Sequence, residues 1–373
     1  MKNEDYLNIL RHDFSSYLRF AFAELNPSVN YQHNWHIDVI AHHLTRVANG
    51  ECKRLIINMP PRMLKSHCAS IALPTWILGR TPHKKLLYLH SGKELGRELE
   101  DQCAELMASS RYRAIFPHAT INQNAAHLKT HLGGERKFLP ITGRLTGLGA
   151  DVIIIDDPIS TSDARDEAKR ENLHKQFDEN ILQRLNNKKS GAIVLVMQRL
   201  HKDDLTGYLL AKDNGWENVS LPAIAMEDEL WTLPCNRTYS RKKGEPLHPE
   251  RDSREDLIEA LCAMSGYTFA YQYMQGAYQP VFDDTLGYGS KWVYPMRVGE
   301  FYDKELYPER IFGLIGFNEF SFIYPRIFGI GEDPIPPNMR NYFTQEELEL
   351  SLKRQREAML EHQRKVASGE LEY

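Results

Sequence analysis

Four short apolar runs, rich in β-branched residues and leucine, constrain what this chain can fold into. They are Arg54–Asn58, Lys85–His90, Asp151–Asp156 and Ala192–Met197. None of them alternates apolar with polar residues, and such runs are typical of strands that are buried on both faces. The runs therefore predict a mostly parallel sheet with helices covering both of its sides.

The segments between these runs have the periodicity of helices. Apolar residues recur every three or four positions in Ser66–Leu78, Lys93–Ser109 and Asp163–Leu185. One stripe in the last segment contains Leu173, Phe177, Ile181 and Leu185. Strands that alternate with helices predict an α/β fold.

Ligands of such folds bind beyond the carboxyl ends of the strands. The residues that carry chemistry are therefore expected directly after Asn58, Ile155 and Met197. Unusual polar or charged residues follow all three positions.

Composition and apolar periodicity divide the sequence into four regions. Residues 1–50 form a largely helical N-terminal region, and residues 51–222 form the α/β core. Residues 223–280 form a lid or linker subdomain, in which a polar and irregular stretch, 223–250, precedes a candidate helix at Arg254–Met264 and an aromatic run. Residues 281–373 form an irregular C-terminal extension that ends in a charged helix. In that helix an apolar residue recurs every seven positions, at Leu352, Met359 and Val366, and this stripe fits either a docked or a solvated helix.

The charge balance excludes a polycation that binds nucleic acid through its overall charge. Lys and Arg number 46 and Asp and Glu number 50, which gives a net charge of −4. Any contact with DNA must come from local basic patches, such as Asn186–Lys189 or Arg241–Lys243. Short basic runs are, however, usually only solvated faces.

Cysteines and apolar stretches argue against several other classes of protein. The five cysteines are scattered and never spaced as CxxC, so neither a disulfide framework nor a thiolate zinc site is expected. The N-terminus lacks the features of a signal peptide, and no stretch is long and apolar enough to span a membrane. We therefore expect a cytoplasmic protein.

The first candidate site is Asn58–Ser66, with the sequence NMPPRMLKS between a strand and a helix. A phosphate-binding loop needs a tight turn, then a Lys for the phosphates and a Ser or Thr for Mg²⁺ at the start of a helix. Lys65 and Ser66 fit these places, but Met59 and Leu64 replace both glycines of the GxxxxGK[ST] pattern. The motif alone is a weak signal, because a Lys-Ser pair that opens a helix after a strand is more often just a solvated helix start.

The second candidate site is the end of the run IIIDDP, where Asp156 and Asp157 follow an apolar strand. Nucleotide hydrolases place two carboxylates in this way, the first for Mg²⁺ and the second for the attacking water. An Asp-Asp-Pro turn without catalytic function is the alternative. The order and spacing relative to Lys65 favour the hydrolase.

The third candidate site is the pair Gln198 and Arg199, at the end of the fourth apolar run. Polar side chains at the end of a buried strand are costly unless they meet a charge. A sensor of the γ-phosphate would account for the pair. The alternative is an arginine that pairs with a neighbouring acidic residue.

Taken in order, these motifs resemble the large terminase subunit of tailed bacteriophages. The segments are MPPRMLKS, TGRLTGLGADVIIIDDP, VLVMQRLHKDDLTG, GEPLHPER and FAYQYMQG. The resemblance covers roughly residues 30–280 and implies a P-loop NTPase fold, with 51–222 as the ATPase core. It also implies that the N-terminal region lies on the adenine side of the site.

The resemblance assigns roles to particular positions of the chain. Catalytic roles go to Asp157 as the base that activates water, Arg62 as a finger-like stabiliser of the transferred phosphoryl group, and Arg199 as a coupling residue. The ATP contacts are Pro61, Arg62, Lys65, Ser66, Gln198 and, more loosely, Gln32 as the residue that recognises adenine. The Mg²⁺ contacts are Ser66 and Asp156.

The resemblance further implies an ATPase motor that translocates viral double-stranded DNA into a procapsid, with ATP and Mg²⁺. The implied partners are double-stranded DNA, a portal protein, the small terminase subunit and further copies of the chain in a ring. The expected location is the host cytoplasm, with no membrane. Terminases also carry a nuclease, but Asp283, Asp284 and Glu319 do not follow strand-like runs. We therefore predict that this chain lacks nuclease activity.

Two other functions stay open at the level of sequence. A helicase-like DNA-dependent ATPase shares the lysine-bearing loop and the paired aspartates. A regulatory subunit that binds nucleotide without hydrolysing it would explain the missing glycines.

Overall fold

The computed structural model describes residues 3–121, 127–212, 215–264 and 266–276. The predictions that concern residues 281–373 lie outside these ranges. They are the C-terminal extension, its terminal helix and the absence of a nuclease.

Three helices begin the chain: α1 (Asn3–His12), α2 (Phe14–Leu25) and α3 (Trp35–Ala48). Asp13 caps α2, because its carboxylate accepts a hydrogen bond from the backbone N–H of Ser16 at 2.8 Å.

These helices pack on a fourth helix, α4 (Leu73–Arg80). The hydroxyl of Tyr17 donates to Thr75 at 2.8 Å, and the indole N–H of Trp76 donates to the carbonyl of Leu10 at 3.1 Å. A π-helical segment, His67–Ala72, leads directly into α4. The N-terminal region therefore shares its packing with the helix that follows the first candidate motif.

The centre of the fold is a seven-stranded sheet in the order β3-β4-β2-β5-β6-β1-β7. Every neighbouring pair is parallel except β3 and β4, which are antiparallel. The strands are β1 (Arg54–Asn58), β2 (Lys85–His90), β3 (Leu128–Lys129), β4 (Glu135–Pro140), β5 (Val152–Asp156), β6 (Ala192–Met197) and β7 (Glu217–Ser220). The predicted mixed α/β architecture with a mostly parallel sheet is confirmed.

The four predicted apolar runs coincide with the four central strands. β5 and β6 are buried along their whole lengths, and β1 and β2 are buried at every position except the first. Burial on both faces is the reason that these strands lack polar alternation. β7 is an edge strand and β4 lies next to the edge strand β3; both contain charged residues, and the apolar pattern did not predict them.

Further helices accompany the sheet in the same unit. They are α5 (Lys93–Ala108), α6 (Ser110–Ile115), α7 (Glu167–Lys175) and α8 (Leu205–Ala211). Within the described residues, no helix combines the length and the apolarity that crossing a membrane requires.

The single helix predicted over Asp163–Leu185 is wrong in detail. A 3₁₀ turn (Asp163–Arg165) precedes α7, and a π-helical segment (Gln176–Ile181) and a second 3₁₀ turn (Leu182–Arg184) follow it. The apolar stripe at Leu173, Phe177, Ile181 and Leu185 is nevertheless buried throughout. Its members are four residues apart, more than the 3.6 residues of an α-helical turn, and the wider π turn keeps them on one side.

The described chain divides into two compact units. The first comprises the residues up to Leu221 together with Leu230–Tyr239, and it includes residues 3–50. The second comprises Pro222–Glu229 and the described residues from Ser240 onward.

The second unit contains α9 (Arg254–Ala263) and α10 (Gly266–Gln272). Its small core contains Ala223, Ile224, Leu257, Phe269 and Met274. A two-stranded hairpin is formed by β8 (Glu229–Leu233) and β9 (Arg237–Arg241), with a 3₁₀ turn at Pro234–Asn236, and its residues Leu230–Tyr239 belong to the first unit.

Candidate functional site

Three neighbouring strands bring the three predicted motifs to one edge of the sheet. β6 lies between β1 and β5, and the register pairs Asn58 with Met197 and Asp156 with Val196. Because all three strands are parallel and end at the same level, the segments that follow them meet beyond their carboxyl ends.

The centre of this edge is an ion pair between Lys65 and Asp157. The Lys65 Nζ donates to both carboxylate oxygens of Asp157, at 3.0 Å to Oδ1 and 2.7 Å to Oδ2. Only 8% of the Lys65 side chain and 27% of the Asp157 side chain are exposed. The first and second candidate motifs, far apart in sequence, are therefore in direct contact.

The loop from Met59 to Leu64 has a strained backbone. Arg62 and Leu64 adopt left-handed conformations, with φ values of 61° and 62°. A left-handed residue other than glycine costs roughly 1–2 kcal/mol, and such residues concentrate at functional sites. Leu64 stands where the phosphate-loop pattern has its second glycine, so the loop takes a glycine-like conformation without glycine.

The two ends of this loop are anchored in the core. Met59 and Met63 are buried, with exposures of 0% and 1%. Pro61 is half-buried and Arg62 is exposed. Lys65 and Ser66 then begin the helical run that leads into the π-helical segment. The start of a helix favours anions, because its first backbone N–H groups point outward.

Asp156 is fully buried beside this centre. Its Oδ2 accepts a hydrogen bond from the hydroxyl of Ser70 at 2.7 Å, and its buried Oδ1 has no partner among the described residues. Burial, and next the neighbouring charge of Asp157, raise the pKa of the Asp156 carboxyl above its usual value.

The backbone holds Asp157 in a fixed place. Its φ is 40°, and its N–H donates to the carbonyl of Val196 at 2.9 Å. Its own carbonyl accepts from the hydroxyl of Ser91 at 2.6 Å and from the Ser91 N–H at 3.3 Å. The carboxylate therefore faces Lys65 from a rigid turn between strands β5 and β6.

Gln198 lies next to the Lys65–Asp157 pair, and its predicted contact with ATP stays a prediction. Its backbone N–H donates to Asp157 Oδ1 at 3.4 Å. Its side-chain Oε1 is buried and has no hydrogen-bond partner within the described part of the chain.

Arg199 makes the contact that the sequence left open as the alternative. Its Nε donates to Asp204 at 3.0 and 2.9 Å, and its NH2 donates to the carbonyls of His201 and Lys202 at 3.2 and 3.1 Å. The guanidinium is thus bound within its own loop, where it pairs with a neighbouring acidic residue.

Asp204 organises the rest of this loop. It caps α8 by accepting from Gly207 N–H at 3.0 Å, and it accepts from Leu200 N–H at 2.9 Å. A Cβ at Gly207 would lie 1.8 Å from the carbonyl oxygen of Lys202, so glycine is required there. The motif QRLHKDDLTG is therefore a folded loop with its own internal bonds.

Gln32 is exposed in the segment between α2 and α3. Its neighbour Tyr31 contacts the ring of Phe22 at a centroid distance of 5.3 Å, and Phe22 contacts His67 at 5.4 Å. The segment therefore lies close to the helical run that begins at Lys65. A role for Gln32 in recognising adenine stays a prediction.

The basic runs considered as DNA contacts have internal partners. Arg241 is buried, donates to Glu229 at 2.6 and 3.2 Å, and donates to the carbonyl of Pro222 at 2.9 Å. Lys242 pairs with Asp228 at 2.7 Å.

The other run, residues 186–189, is exposed and precedes β6. It therefore lies at the edge of the sheet opposite the Lys65–Asp157 pair.

The arrangement of oxygen atoms suits Mg²⁺. The unpartnered, buried Oδ1 of Asp156 is a hard oxygen ligand whose negative charge lacks a bonded partner in the described residues. Mg²⁺ in nucleotide sites uses one or two protein oxygens, together with phosphate oxygens and waters. The residues present therefore fit the ion that the motif predicts.

Fold and site together define an α/β protein in which a lysine-bearing loop and two successive aspartates meet beyond the ends of parallel strands. No protein-family model matches the chain. It is 26% identical over 253 residues to the terminase large subunit of Enterobacteria phage T3, which confirms the resemblance to terminase large subunits.

The match covers 61% of this chain and 42% of the phage T3 protein, so the chain matches less than half the length of that relative. The crystal structure of the HK97 bacteriophage large terminase has a TM-score of 0.42 and 11% identity to this chain. That alignment covers 70% of this chain and 55% of the HK97 chain, and the likeness is distant.

Proposed function

We propose that this chain is an ATP-hydrolysing motor subunit with a P-loop NTPase core, and that it translocates viral double-stranded DNA into a procapsid. The observation that carries the proposal is the contact of Lys65 with Asp157, beside the buried Asp156. A lysine on a strained loop and two carboxylates at one sheet edge are the groups that phosphoryl transfer requires. The resemblance to a terminase large subunit supplies the biological setting.

In this proposal ATP binds over the start of the helical run at Lys65. Lys65 donates to the β- and γ-phosphates, and the exposed Arg62 approaches the γ-phosphoryl group from the loop. Ser66 and Asp156 would hold Mg²⁺, and the ion when bound neutralises charge on the phosphate oxygens. Pro61 shapes the loop, and Gln32 lies on the adenine side.

Asp157 is the proposed base that orients and deprotonates the attacking water. Its present partner, Lys65, is also the proposed ligand of the phosphates, so bound phosphate competes with the carboxylate for the ammonium group. Each phosphate contact of Lys65 therefore frees Asp157 to accept a proton from water.

Gln198 connects this chemistry to the loop that follows β6. Its N–H bonds Asp157, and the next residue, Arg199, bonds Asp204 at the start of α8. A movement of the Asp157 carboxylate can thus be transmitted to α8 through the consecutive residues Gln198 and Arg199. We propose that Arg199 couples hydrolysis to movement through Asp204.

The partners follow from the terminase resemblance. They are double-stranded DNA, a portal protein, the small terminase subunit and further copies of the chain in a ring. Because the match spans 42% of the phage T3 protein, each of these partners is a proposal for this chain.

One observation bears on the regulatory alternative, in which the loop binds nucleotide but has lost hydrolysis. The left-handed φ of 62° at Leu64 shows that the loop reaches the conformation that glycine normally provides. The absence of glycine at Leu64 is therefore no evidence of a degraded loop, and this favours hydrolysis over the regulatory alternative.

The test is phosphate release from ATP with double-stranded DNA present, for the original chain, Lys65→Ala and the control Lys188→Ala. Lys188 is exposed and bonds Gln183 at 2.7 Å, away from the proposed site. We expect Lys65→Ala to reduce turnover by at least about 100-fold, because one charged donor to the transition state is lost. Lys188→Ala should keep full turnover.

Unchanged turnover in Lys65→Ala would refute the assignment of the lysine. Binding of ATP without release of phosphate in the original chain would favour the regulatory subunit. Circular dichroism of all three proteins shows whether a loss of turnover arises from loss of the fold.

A further inference from the structure

The hydrogen bond between Ser70 and Asp156 belongs to none of the motifs considered above. Ser70 lies in the π-helical segment His67–Ala72 and is fully buried. Its hydroxyl donates to Asp156 Oδ2 at 2.7 Å. A serine inside a helix usually bonds to its own backbone or to solvent, so a bond to a buried carboxylate requires an explanation.

Because of this bond, the two carboxylate oxygens of Asp156 differ in their hydrogen bonding. Oδ2 is occupied by Ser70, and Oδ1 is left buried without a partner among the described residues. A carboxylate held by one oxygen has a fixed orientation, and its other oxygen then points in one direction only. Outer partners of this kind orient metal-binding side chains in many proteins.

The helix that carries Ser70 reaches both aspartates. Lys65, at its start, contacts Asp157, and Ser70 contacts Asp156. Around Ser70 the helix widens, since the Leu73 N–H bonds the carbonyl of Cys68 five residues earlier. Single π turns of this kind often occur at functional sites.

Ser70 is itself fixed by neighbours on its other side. Its carbonyl accepts from the guanidinium of Arg136 at 3.1 Å and from the thiol of Cys103 at 3.4 Å. Arg136 is fully buried on β4, and its guanidinium lies 4.3 Å from the ring centre of Tyr88 on β2. The backbone at Ser70 is therefore anchored to the sheet.

We infer that Ser70 is a positioning residue, which orients Asp156 so that Oδ1 is presented to the Mg²⁺ of bound Mg·ATP. The inference rests on the proposed ATPase function. Ser70 touches neither the nucleotide nor the ion, and it acts through Asp156. Its loss should weaken the contribution of Mg²⁺ to nucleotide binding and leave the metal-free contribution intact.

The experiment measures equilibrium binding of a fluorescent, non-hydrolysable ATP analogue to the full chain, in EDTA and across a Mg²⁺ titration. The ratio of the two affinities gives the gain due to Mg²⁺. We expect Ser70→Ala to reduce that gain by about 10-fold, the lower end of the effects known for outer partners of metal ligands. The affinity in EDTA should stay within about two-fold.

Two variants test whether the loss of any buried hydroxyl in this helical run, rather than the Ser70–Asp156 bond, lowers the gain. Thr75→Val removes a fully buried hydroxyl farther along the same helical run, where it bonds Ile71 and Tyr17. This variant should keep the full gain. Ser70→Thr retains a donor and should restore most of the gain.

If Ser70→Ala does not fold, Ser70→Cys takes its place, because a thiol of similar size is only a weak donor. A gain in Ser70→Ala or Ser70→Cys equal to that of the original chain would overturn the inference. An equal loss in Thr75→Val would overturn it as well.

A different result would contradict the proposed ATPase function rather than the role of Ser70. If the original chain shows no Mg²⁺-dependent binding of the ATP analogue, the nucleotide site itself is wrong. If the original chain shows the gain and the Ser70 variants keep it, only the positioning role is wrong.

Discussion

Two loops follow neighbouring parallel strands at the same edge of the sheet, and they are built in opposite ways. The loop Met59–Leu64 follows β1 and has two left-handed residues, neither of them glycine. The loop Gln198–Asp204 follows β6, and the carboxylate of Asp204 closes it by bonding Arg199 and the N–H groups of Leu200 and Gly207.

The first loop is strained in its backbone, whereas the second is stabilised by hydrogen bonds to one carboxylate. Backbone strain persists only where the surroundings impose it, and it is typical of residues that must meet a ligand. A loop closed by a capping carboxylate and a buried ion pair is instead a rigid support. We therefore expect substitutions in the first loop to change turnover more than stability, and substitutions in the second to do the reverse.

The largest effect on stability is expected for Asp204→Ala. The variant loses the cap of α8 and leaves the Arg199 guanidinium, whose side chain is 13% exposed, without its carboxylate. Breaking a buried pair in this way costs about 3–5 kcal/mol. Urea unfolding measures the loss, and Asp204→Asn should lose less because it keeps a capping oxygen.

Arg199→Ala completes a double-mutant cycle with Asp204→Ala. We expect a coupling free energy of about 1–3 kcal/mol, since the two side chains are in direct contact. If Arg199→Ala instead kept full stability and lost turnover, the arginine would act on the phosphate, as the sequence predicted, and the comparison of the two loops would be wrong.

A smaller and opposite effect is expected at Arg62, whose φ is 61°. Arg62→Gly relieves the left-handed strain, and after the greater freedom of glycine in the unfolded chain the net gain is about 0.5–1 kcal/mol. Its turnover should fall because the guanidinium is gone. Arg62→Ala should lose the same turnover with no gain in stability.

Equal stability of Arg62→Gly and Arg62→Ala would show that the loop is not strained. Thermal unfolding and phosphate release, measured on the same preparations, give both numbers.

The smallest effect concerns His201 in the second loop. Burial, and next the charge of Arg170, lower the pKa of His201 to about 4. The unfolded chain, with a pKa near 6.5, binds the proton more readily. The contribution of His201 to stability is therefore full above about pH 6.5 and is lost as pH falls toward 4.

His201→Asn should flatten the pH dependence of unfolding free energy in that window by up to about one proton. The asparagine carbonyl can still accept the Asp203 N–H, which bonds the His201 Nδ1 at 3.0 Å. An unchanged slope between pH 4 and 6.5 would contradict the burial of a neutral histidine.

Much of the fold could be predicted from the sequence, because the four central strands are buried on both faces and carry an unbroken apolar signal. The strands β4 and β7 toward the two edges could not, since Glu135–Pro140 and Glu217–Ser220 contain charged or polar residues that the pattern assigns to loops. The break in Asp163–Leu185 was also missed, because apolar residues four positions apart lie on one side of an α-helix as well.

Some contacts of the candidate site could be predicted from the sequence and others could not, for physical reasons. Motif order was enough to relate Lys65 to the aspartates, because parallel strands fix where their ends meet. The partner of Arg199 could not be chosen, since phosphate and carboxylate attract a guanidinium alike. Ser70 went unnoticed because nothing in the sequence distinguishes a hydroxyl that bonds an aspartate from one that bonds its own helix.

The central claim is that Lys65, Asp156 and Asp157 surround one triphosphate. The most direct test is a crystal structure of the chain with Mg²⁺ and a non-hydrolysable ATP analogue. The account predicts phosphate oxygens within hydrogen-bond distance of Lys65 Nζ, and Mg²⁺ on the side of Asp156 Oδ1. A nucleotide bound elsewhere, with the Lys65–Asp157 contact unchanged, would contradict it.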